Sequence, residues 1–270
     1  MLAWLGWRRV LALALVIETA YLIVPTLRNF ALSIEESEPA RGRRMAASLG
    51  CFNCHGPEGR GNVPNHGSQL DTVPGFTEQT LMMFVKNEAE LREYILDGAP
   101  RRRRDDPAYQ EKMAGQAIRM PAFRGWISER DLDALIAYLR LVSGFMRPKS
   151  ELAVRGEELA NSLGCFACHG ELGMGGRANP GALKDYIPGF LGADFHELVR
   201  DDDELMTWLR DGALPRISDQ GLGRFFFNRQ RIRMPAYKGF VSETDLQAIA
   251  TYVRWLAGDS WRSEPLLAHE

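Results

Sequence analysis

A five-residue motif, Cys-x-x-Cys-His, occurs twice in this chain of 270 residues, at Cys51–His55 and at Cys165–His169. The two copies contain all four cysteines of the sequence. This spacing is that of covalent haem c attachment, in which the thiols form thioethers and the histidine becomes an axial iron ligand. A thioredoxin-like redox pair or half of a zinc site is the alternative, but a redox pair does not explain a histidine after both motifs. The sequence therefore predicts two covalently bound haem c groups.

The chain repeats itself at an offset of 114 residues (165 − 51), and this repeat makes a zinc site a poor explanation of the motifs. The offset aligns segments far from the motifs, and no gap is needed. The aligned pairs include Arg41-Gly42 with Arg155-Gly156, Pro74-Gly75-Phe76 with Pro188-Gly189-Phe190, Asp97-Gly98 with Asp211-Gly212, Met120-Pro121 with Met234-Pro235, and Tyr138 with Tyr252.

This repeat predicts two equivalent domains after an N-terminal segment. We divide the chain into an N-terminal anchor at 1–30, a tether at 31–40, a first domain at 41–147, a second domain at 148–258 and a tail at 259–270. A domain of about 100 residues is of ordinary size but has a small core of its own. A buried haem would supply much of the apolar centre that each domain lacks.

The pattern of apolar residues predicts helices and no sheet. Candidate helices lead into both motifs, at 41–49 and 155–163, and two more lie at 88–96 and 203–210. The final helix of each repeat follows a capping box, Ser128-Glu129-Arg130-Asp131 in the first and Ser242-Glu243-Thr244-Asp245 in the second. Because no two-residue alternation persists anywhere, the predicted fold class is all-α.

An iron with one histidine ligand needs a second axial ligand or keeps an open face, and methionine is typical of electron-transfer haems. Of the ten methionines, only Met120 and Met234 map onto each other among the interior candidates. Both precede proline, which disfavours helix and suits a loop that presents sulfur to iron. A pair of core methionines is the alternative. We predict axial pairs His55/Met120 and His169/Met234, and haem-binding residues Cys51, Cys54, His55, Met120, Cys165, Cys168, His169 and Met234.

Three histidines have no histidine partner at the repeat offset, namely His66, His196 and His269. His196 is the alternative to Met234 as an iron ligand. We expect all three to be surface or packing residues.

Each repeat resembles a class I cytochrome c, with a helix of Gly-x-x-x-Ala-x-x-Leu-Gly type, the haem motif, a distal Met-Pro and a capped C-terminal helix that carries an aromatic residue. The resemblance covers roughly residues 41–147 and 155–258. It implies that a glycine in the first helix lets it cross the last helix near an aromatic residue. Those residues are Gly42 and Tyr138 in the first repeat, and Gly156 and Tyr252 in the second.

The resemblance also implies that a loop carbonyl after the haem motif accepts a hydrogen bond from Nδ1–H of the axial histidine. Such a bond would orient the ring and raise its basicity. Members of the family often carry a Gly-Pro-Asn-Leu segment in this loop. This chain has Pro64-Asn65-His66-Gly67 and Asn179-Pro180-Gly181 instead, so the sequence does not identify the carbonyl.

The residues at 10–27 are dominated by Leu, Ala, Val and Ile. As a helix they would extend about 27 Å, close to a hydrocarbon core of about 30 Å. A cleaved signal peptide is the alternative, but no convincing Ala-x-Ala site follows. We therefore expect an all-α chain with one N-terminal transmembrane helix followed by two tandem class I cytochrome c domains. Arg8 and Arg9 favour a cytoplasmic N-terminus, which puts the haem domains on the periplasmic side of a bacterial inner membrane.

The charge of the chain argues against nucleic acid as a partner, because the net charge is −2. The basic run at Arg101–Arg104 belongs to the first repeat only and is followed by two aspartates. A solvated loop is one interpretation of this run. The others are a docking surface for an acidic redox partner and a group of arginines near a haem propionate.

These features together predict a membrane-anchored di-haem c-type cytochrome that transfers single electrons. Its expected partners are subunits of a respiratory or photosynthetic membrane complex and a periplasmic electron donor or acceptor. The alternative is a di-haem peroxidase-like enzyme with one displaceable methionine ligand. Matching Met-Pro segments in both repeats argue against it, so we assign no catalytic residue and expect no independent catalysis.

Overall fold

The computed structural model describes residues 37–77, 80–144 and 147–258, together with residues 12, 14–19 and 21. The first repeat consists of six helices and one short hairpin. They are α1 (Glu38–Ser48), α2 (Cys51–His55), β1 (Val63–Pro64), β2 (Thr72–Val73), α3 (Glu88–Asp97), α4 (Arg101–Arg104), α5 (Pro107–Ala114) and α6 (Glu129–Val142), with 3₁₀ turns at Pro57–Gly59 and Thr80–Met83.

The second repeat follows the same order with one further short helix. It consists of α7 (Glu151–Ser162), α8 (Cys165–His169), β3 (Arg177–Ala178), β4 (Tyr186–Ile187), α9 (Ala193–Leu198), α10 (Asp202–Asp211), α11 (Pro215–Ser218), α12 (Gly221–Arg229) and α13 (Glu243–Ala257), with a 3₁₀ turn at Glu171–Gly173. The chain is thus mostly helical, as predicted. The antiparallel hairpins β1–β2 and β3–β4 were not predicted.

The predicted helices exist, but α1 and α7 begin three to four residues earlier than expected. The early start of α1 has a local cause. Ser37 caps the helix by accepting a hydrogen bond from the Ala40 N–H, and Pro39 lies in the first turn, where its missing N–H costs nothing. The predicted caps of the final helices are confirmed. Ser128 Oγ accepts a hydrogen bond from the Asp131 N–H, and Ser242 Oγ accepts one from the Asp245 N–H.

The first and last helices of each repeat cross at a glycine, as the resemblance implied. An added Cβ on Gly42 would lie only 1.9 Å from the carbonyl oxygen of Ala134 in α6, and one on Gly156 would lie 2.0 Å from that of Ala248 in α13. Tyr138 is completely buried beside the first crossing. Its ring meets Phe76 edge-on, at a centroid distance of 6.2 Å. The crossing therefore joins the helix that leads into the haem motif to the core.

The prediction of a transmembrane helix at 10–27 is wrong for the part of the chain that the structure describes. No helix among those residues is long and apolar enough to cross a membrane. Most of the predicted anchor, most of the tether at 31–40 and the tail from residue 259 lie outside the described residues.

Candidate haem sites

The Cys-x-x-Cys-His motifs form two five-residue helices, α2 and α8, each entered through a glycine. Gly50 has φ of 76° and Gly164 has φ of 74°, a left-handed conformation that lets the chain turn sharply after α1 and α7. All four cysteines are half-buried free thiols. Burial raises the pKa of the Cys51 thiol to about 11. Each short helix thus presents two thiols and a histidine within about one and a half turns.

The histidine of each motif is held by a backbone carbonyl. His55 Nδ1 donates to the Pro74 carbonyl oxygen at 2.8 Å, and His169 Nδ1 donates to that of Pro188, also at 2.8 Å. Burial lowers the pKa of both histidines, against the opposing effect of these hydrogen bonds. Each imidazole is therefore neutral, with the Nε2 lone pair left for a metal. The predicted carbonyl exists, but it comes from the Pro-Gly-Phe segment and not from the Pro-Asn-containing loops.

Met120 and Met234 are half-buried and lie in segments without regular secondary structure after α5 and α12. The glycine that ends α3, Gly98, has φ of 79°, and a Cβ there would lie 2.7 Å from the Met120 carbonyl oxygen. At the corresponding position, a Cβ on Gly212 would lie 2.3 Å from the Met234 oxygen. Each methionine segment therefore lies directly against the end of a helix. The pairing of each methionine with a histidine stays a prediction.

Two residues that the sequence analysis missed connect these methionine segments to the hairpins. Asn65 and Asn179 are each only 3% exposed, although asparagine is usually a surface residue. Both bind the backbone of the isoleucine two residues before the methionine, Ile118 or Ile232. The signal that could have found them is their equivalence at the 114-residue offset.

The remaining histidines occupy the surface where the structure describes them, as expected. His66 and His196 are both exposed. The ring of His196 contacts Phe195 edge-on, at a centroid distance of 5.6 Å. His269 lies outside the described residues.

The basic run Arg101–Arg104 forms helix α4 and is largely neutralised by its own domain. Ion pairs join three of its arginines to nearby carboxylates, with distances of 3.4 Å for Arg101–Asp105, 2.6 Å for Arg102–Glu90 and 3.4 Å for Arg104–Asp97. The fourth, Arg103, lies 5.6–5.9 Å from the ring centroids of Phe84, Tyr94 and Tyr109. The run therefore presents little unpaired charge to an acidic partner.

The two repeats meet at the loops that follow their haem motifs. Glu58, which Arg43 binds at 2.5 Å, lies close enough to Glu171 of the second repeat for each carboxyl group to shift the pKa of the other. Burial and then the Glu58 carboxylate raise the pKa of Glu171. Burial is the largest single influence on Glu58 and acts to raise its pKa. The hydrogen bond from Arg43, the charge of Arg43 and smaller effects of neighbouring groups together outweigh burial, so the pKa of Glu58 is lowered. The two candidate haem sites thus adjoin at these loops.

The donor set fits haem c. Each site offers two unpaired thiols and a neutral histidine whose Nδ1 is already committed to a carbonyl, which leaves Nε2 as the only ring nitrogen available to iron. The ring next to each histidine is apolar. Phe76 lies 5.3 Å from His55 and Phe190 lies 4.6 Å from His169, measured between centroids.

Comparison with known proteins agrees with this geometry. Residues 39–143 match the cytochrome c family, so the chain contains a cytochrome c domain. The chain is 28% identical over 131 residues to the cbb3-type cytochrome c oxidase subunit CcoP of Helicobacter pylori strain 52, and the same values hold for a second CcoP sequence of Helicobacter pylori. The match covers 48% of this chain but only 36% of each relative. No solved structure matches the chain.

Proposed function

We propose that this chain is a di-haem electron carrier, in which each repeat holds one covalent haem c between a histidine and a methionine. The observation that carries the proposal is the duplication of the site. The hydrogen bond from histidine to carbonyl is 2.8 Å in both repeats, and a helix-ending glycine meets the methionine backbone in both. Single-electron transfer needs two well-held axial ligands and no substrate pocket, and both repeats supply the same candidates.

The residues of the chain would hold the iron in one geometry. Haem iron, when bound, takes up and releases one electron at a time. The bond from Nδ1 to Pro74 or Pro188 fixes the tautomer and orientation of the imidazole and raises its basicity. Cys51 and Cys54, or their copies in the second repeat, would anchor the macrocycle as thioethers. Met120 or Met234, as a thioether ligand of the same iron, would favour the reduced state and so raise the reduction potential.

Contact between the two sites supports electron transfer between them. Glu58 and Glu171 belong to the turns directly after the two haem motifs, and each carboxyl group lies close enough to shift the pKa of the other. An electron that enters at one haem would therefore have the second site as its neighbour. The chain would act as a two-step relay between an external donor and an external acceptor.

The partner we propose is a respiratory redox complex. The support is the similarity to a cbb3-type oxidase subunit, which covers about a third of that protein. Covalent haem c is attached outside the bacterial cytoplasm, so we place both haem domains in the periplasm. The electron donor or acceptor would then be a periplasmic redox protein.

The mass of the purified chain tests the number of haems. Produced in a host that matures haem c, the chain should carry two haem additions and show no disulfide, because all four thiols are consumed. Cys168→Ala should weaken attachment at the second site and leave the first unchanged. A mass with one haem or none for the wild-type chain would refute the proposal.

Spectra test the methionine ligands and separate the carrier from a peroxidase. The ferric protein should show the weak near-infrared band of sulfur bonded to iron, and the reduced protein should not bind carbon monoxide. Met120→Ala and Met234→Ala should each remove about half of the band and open one haem to carbon monoxide. Met83→Ala is the matched control, since Met83 is 73% exposed and maps onto Glu197. Carbon monoxide binding by the wild-type chain, with turnover of hydrogen peroxide, would favour the peroxidase-like alternative.

A further inference from the structure

Asn65 binds the segment that leads to Met120 through both ends of its amide. Its Nδ2 donates to the Ile118 carbonyl at 3.0 Å, and its Oδ1 accepts from the Ile118 N–H at 2.8 Å. Nδ2 also approaches Gln116 Oε1 at 3.4 Å. The side chain thus hydrogen-bonds both backbone groups of Ile118, two residues before the methionine, much as a neighbouring strand would.

The second repeat has the same arrangement with the same geometry. Asn179 Nδ2 donates to the Ile232 carbonyl at 2.9 Å, and Oδ1 accepts from the Ile232 N–H at 2.9 Å. The third contact, to Gln230 Oε1, is 3.3 Å. Both asparagines are almost completely buried. A buried amide with both ends satisfied holds its partner firmly, because a break leaves polar groups without water.

The hairpin that carries Asn65 also carries the carbonyl that holds His55. Asn65 directly follows β1, and Pro74 directly follows β2. The two strands are antiparallel, with Val63 opposite Val73. The Asn65 backbone N–H also donates to the Asp71 carbonyl at 2.7 Å, which closes the hairpin loop. One rigid element of a few residues therefore contacts both predicted axial-ligand segments.

We infer that each hairpin is a clamp for the two axial ligands, and that Asn65 and Asn179 are positioning residues for the methionine sulfur. The histidine is held through Pro74 or Pro188, and the methionine through the asparagine and the isoleucine backbone. This inference rests on the proposed function, because it requires Met120 and Met234 to be iron ligands. Its chemical consequence is that the asparagine sets how readily the methionine leaves the iron.

The test compares Asn65→Ala and Asn179→Ala with the wild-type di-haem chain. As pH or temperature is raised, each variant should lose the near-infrared sulfur-to-iron absorption of one haem only. This loss should occur at a lower pH and at a lower temperature than in the wild-type chain. Two lost hydrogen bonds should raise the ratio of detached to bound methionine by roughly tenfold or more. Carbon monoxide should bind the reduced variant at that haem, while the other repeat serves as an internal control.

Two further variants separate positioning from a general loss of stability. Gln116→Ala removes only the longest contact of Asn65 and should change methionine detachment much less than Asn65→Ala. Asn65→Asp keeps the acceptor for the Ile118 N–H but turns a carboxylate towards the Ile118 carbonyl, so it should behave like Asn65→Ala. Equal effects of Gln116→Ala and Asn65→Ala would refute the inference, as would a lower unfolding temperature with unchanged near-infrared absorption.

A measurement on the wild-type chain covers the case in which Asn65→Ala does not fold. The Ile118 and Ile232 amides should exchange with deuterium more slowly than the Arg119 and Arg233 amides beside them. Rapid exchange at both isoleucines would show that the clamp does not exist. Met120→Ala distinguishes the two proposals. If Met120→Ala leaves the near-infrared band intact, Met120 is not an iron ligand. If Met120→Ala removes half of the band while Asn65→Ala has no effect, only the proposal that the hairpin is a clamp is refuted.

Discussion

Substitution of Gly42 by alanine should push apart the two helices that frame the first haem site. The added Cβ would lie 1.9 Å from the Ala134 carbonyl oxygen and 2.7 Å from the Tyr138 Cβ, whereas ordinary contact begins near 3.4 Å. Helices α1 and α6 would have to separate by about 1.5 Å at this point. The obstacle on α6 includes backbone, so no side-chain rotation can relieve the clash.

Two terms of opposite sign determine the size of the effect. Overpacking in a core costs about 1–3 kcal/mol, whereas alanine is favoured over glycine inside a helix by about 1 kcal/mol. Because the clash is with backbone, we take the upper part of the first range and expect a net loss of about 1–2 kcal/mol. For a domain of this size that lowers the unfolding temperature by roughly 4–16 °C.

Thermal unfolding of the haem-loaded chain, followed by circular dichroism, measures this loss. Only the first domain should be affected, so the transition should split while the haem mass stays unchanged. Gly115→Ala is the matched control, because Gly115 has φ of −78° and the nearest atom to an added Cβ is 3.8 Å away. An unfolding temperature for Gly42→Ala as high as that for Gly115→Ala would refute the crossing argument.

Two further predictions concern buried and paired polar groups. Tyr138 is completely buried, and its hydroxyl has no hydrogen-bond partner within the described part of the chain. An unpaired buried hydroxyl costs about 1–3 kcal/mol. Tyr138→Phe should therefore not lower the unfolding temperature. A decrease in unfolding temperature larger than that caused by Tyr252→Phe would contradict this prediction. Hydrogen bonds from Arg216 lower the pKa of Glu204 to about 2. The stabilisation from this pair is present above the unfolded-state pKa of about 4.3 and is lost as pH falls towards 2. Glu204→Gln should thus be less stable than wild type by about 1 kcal/mol at neutral pH. In thermal unfolding at acid pH, this difference in stability should vanish. A difference in stability that does not depend on pH would argue against the ion pair.

The local chemistry of the sites was readable from the sequence because it depends on short spacings. The five-residue cysteine–histidine motif was recognised from neighbouring positions alone. The helices that lead into the motifs were predicted from the sequence pattern, and the crossing at Gly42 was implied by the resemblance to class I cytochrome c. The Pro74 carbonyl was not identified, because it lies 19 residues beyond His55. The hairpins were missed for a related reason. Strands of two residues are too short for an alternating pattern to show, and they are held by a long-range contact, Asn65 to Ile118, across 53 residues.

The groups that hold the predicted iron ligands are more alike in the two repeats than the surface residues are. The histidine carbonyl, the asparagine clamp and the helix crossing recur in both repeats with distances that agree within about 0.2 Å. The surface recurs only in part. The ion pairs Arg41–Asp131 and Arg102–Glu90 have counterparts in Arg155–Asp245 and Arg216–Glu204, but other surface positions differ. Lys184 and Glu197 lie 3.4 Å apart in the second repeat, whereas the residues at the same positions of the first repeat are Leu70 and Met83, both largely exposed. Charges on a surface cost little to exchange, but a shift of a fraction of an ångström beside an iron ligand changes how that ligand binds. The geometry around both predicted iron ligands is therefore among the constant parts of the two domains.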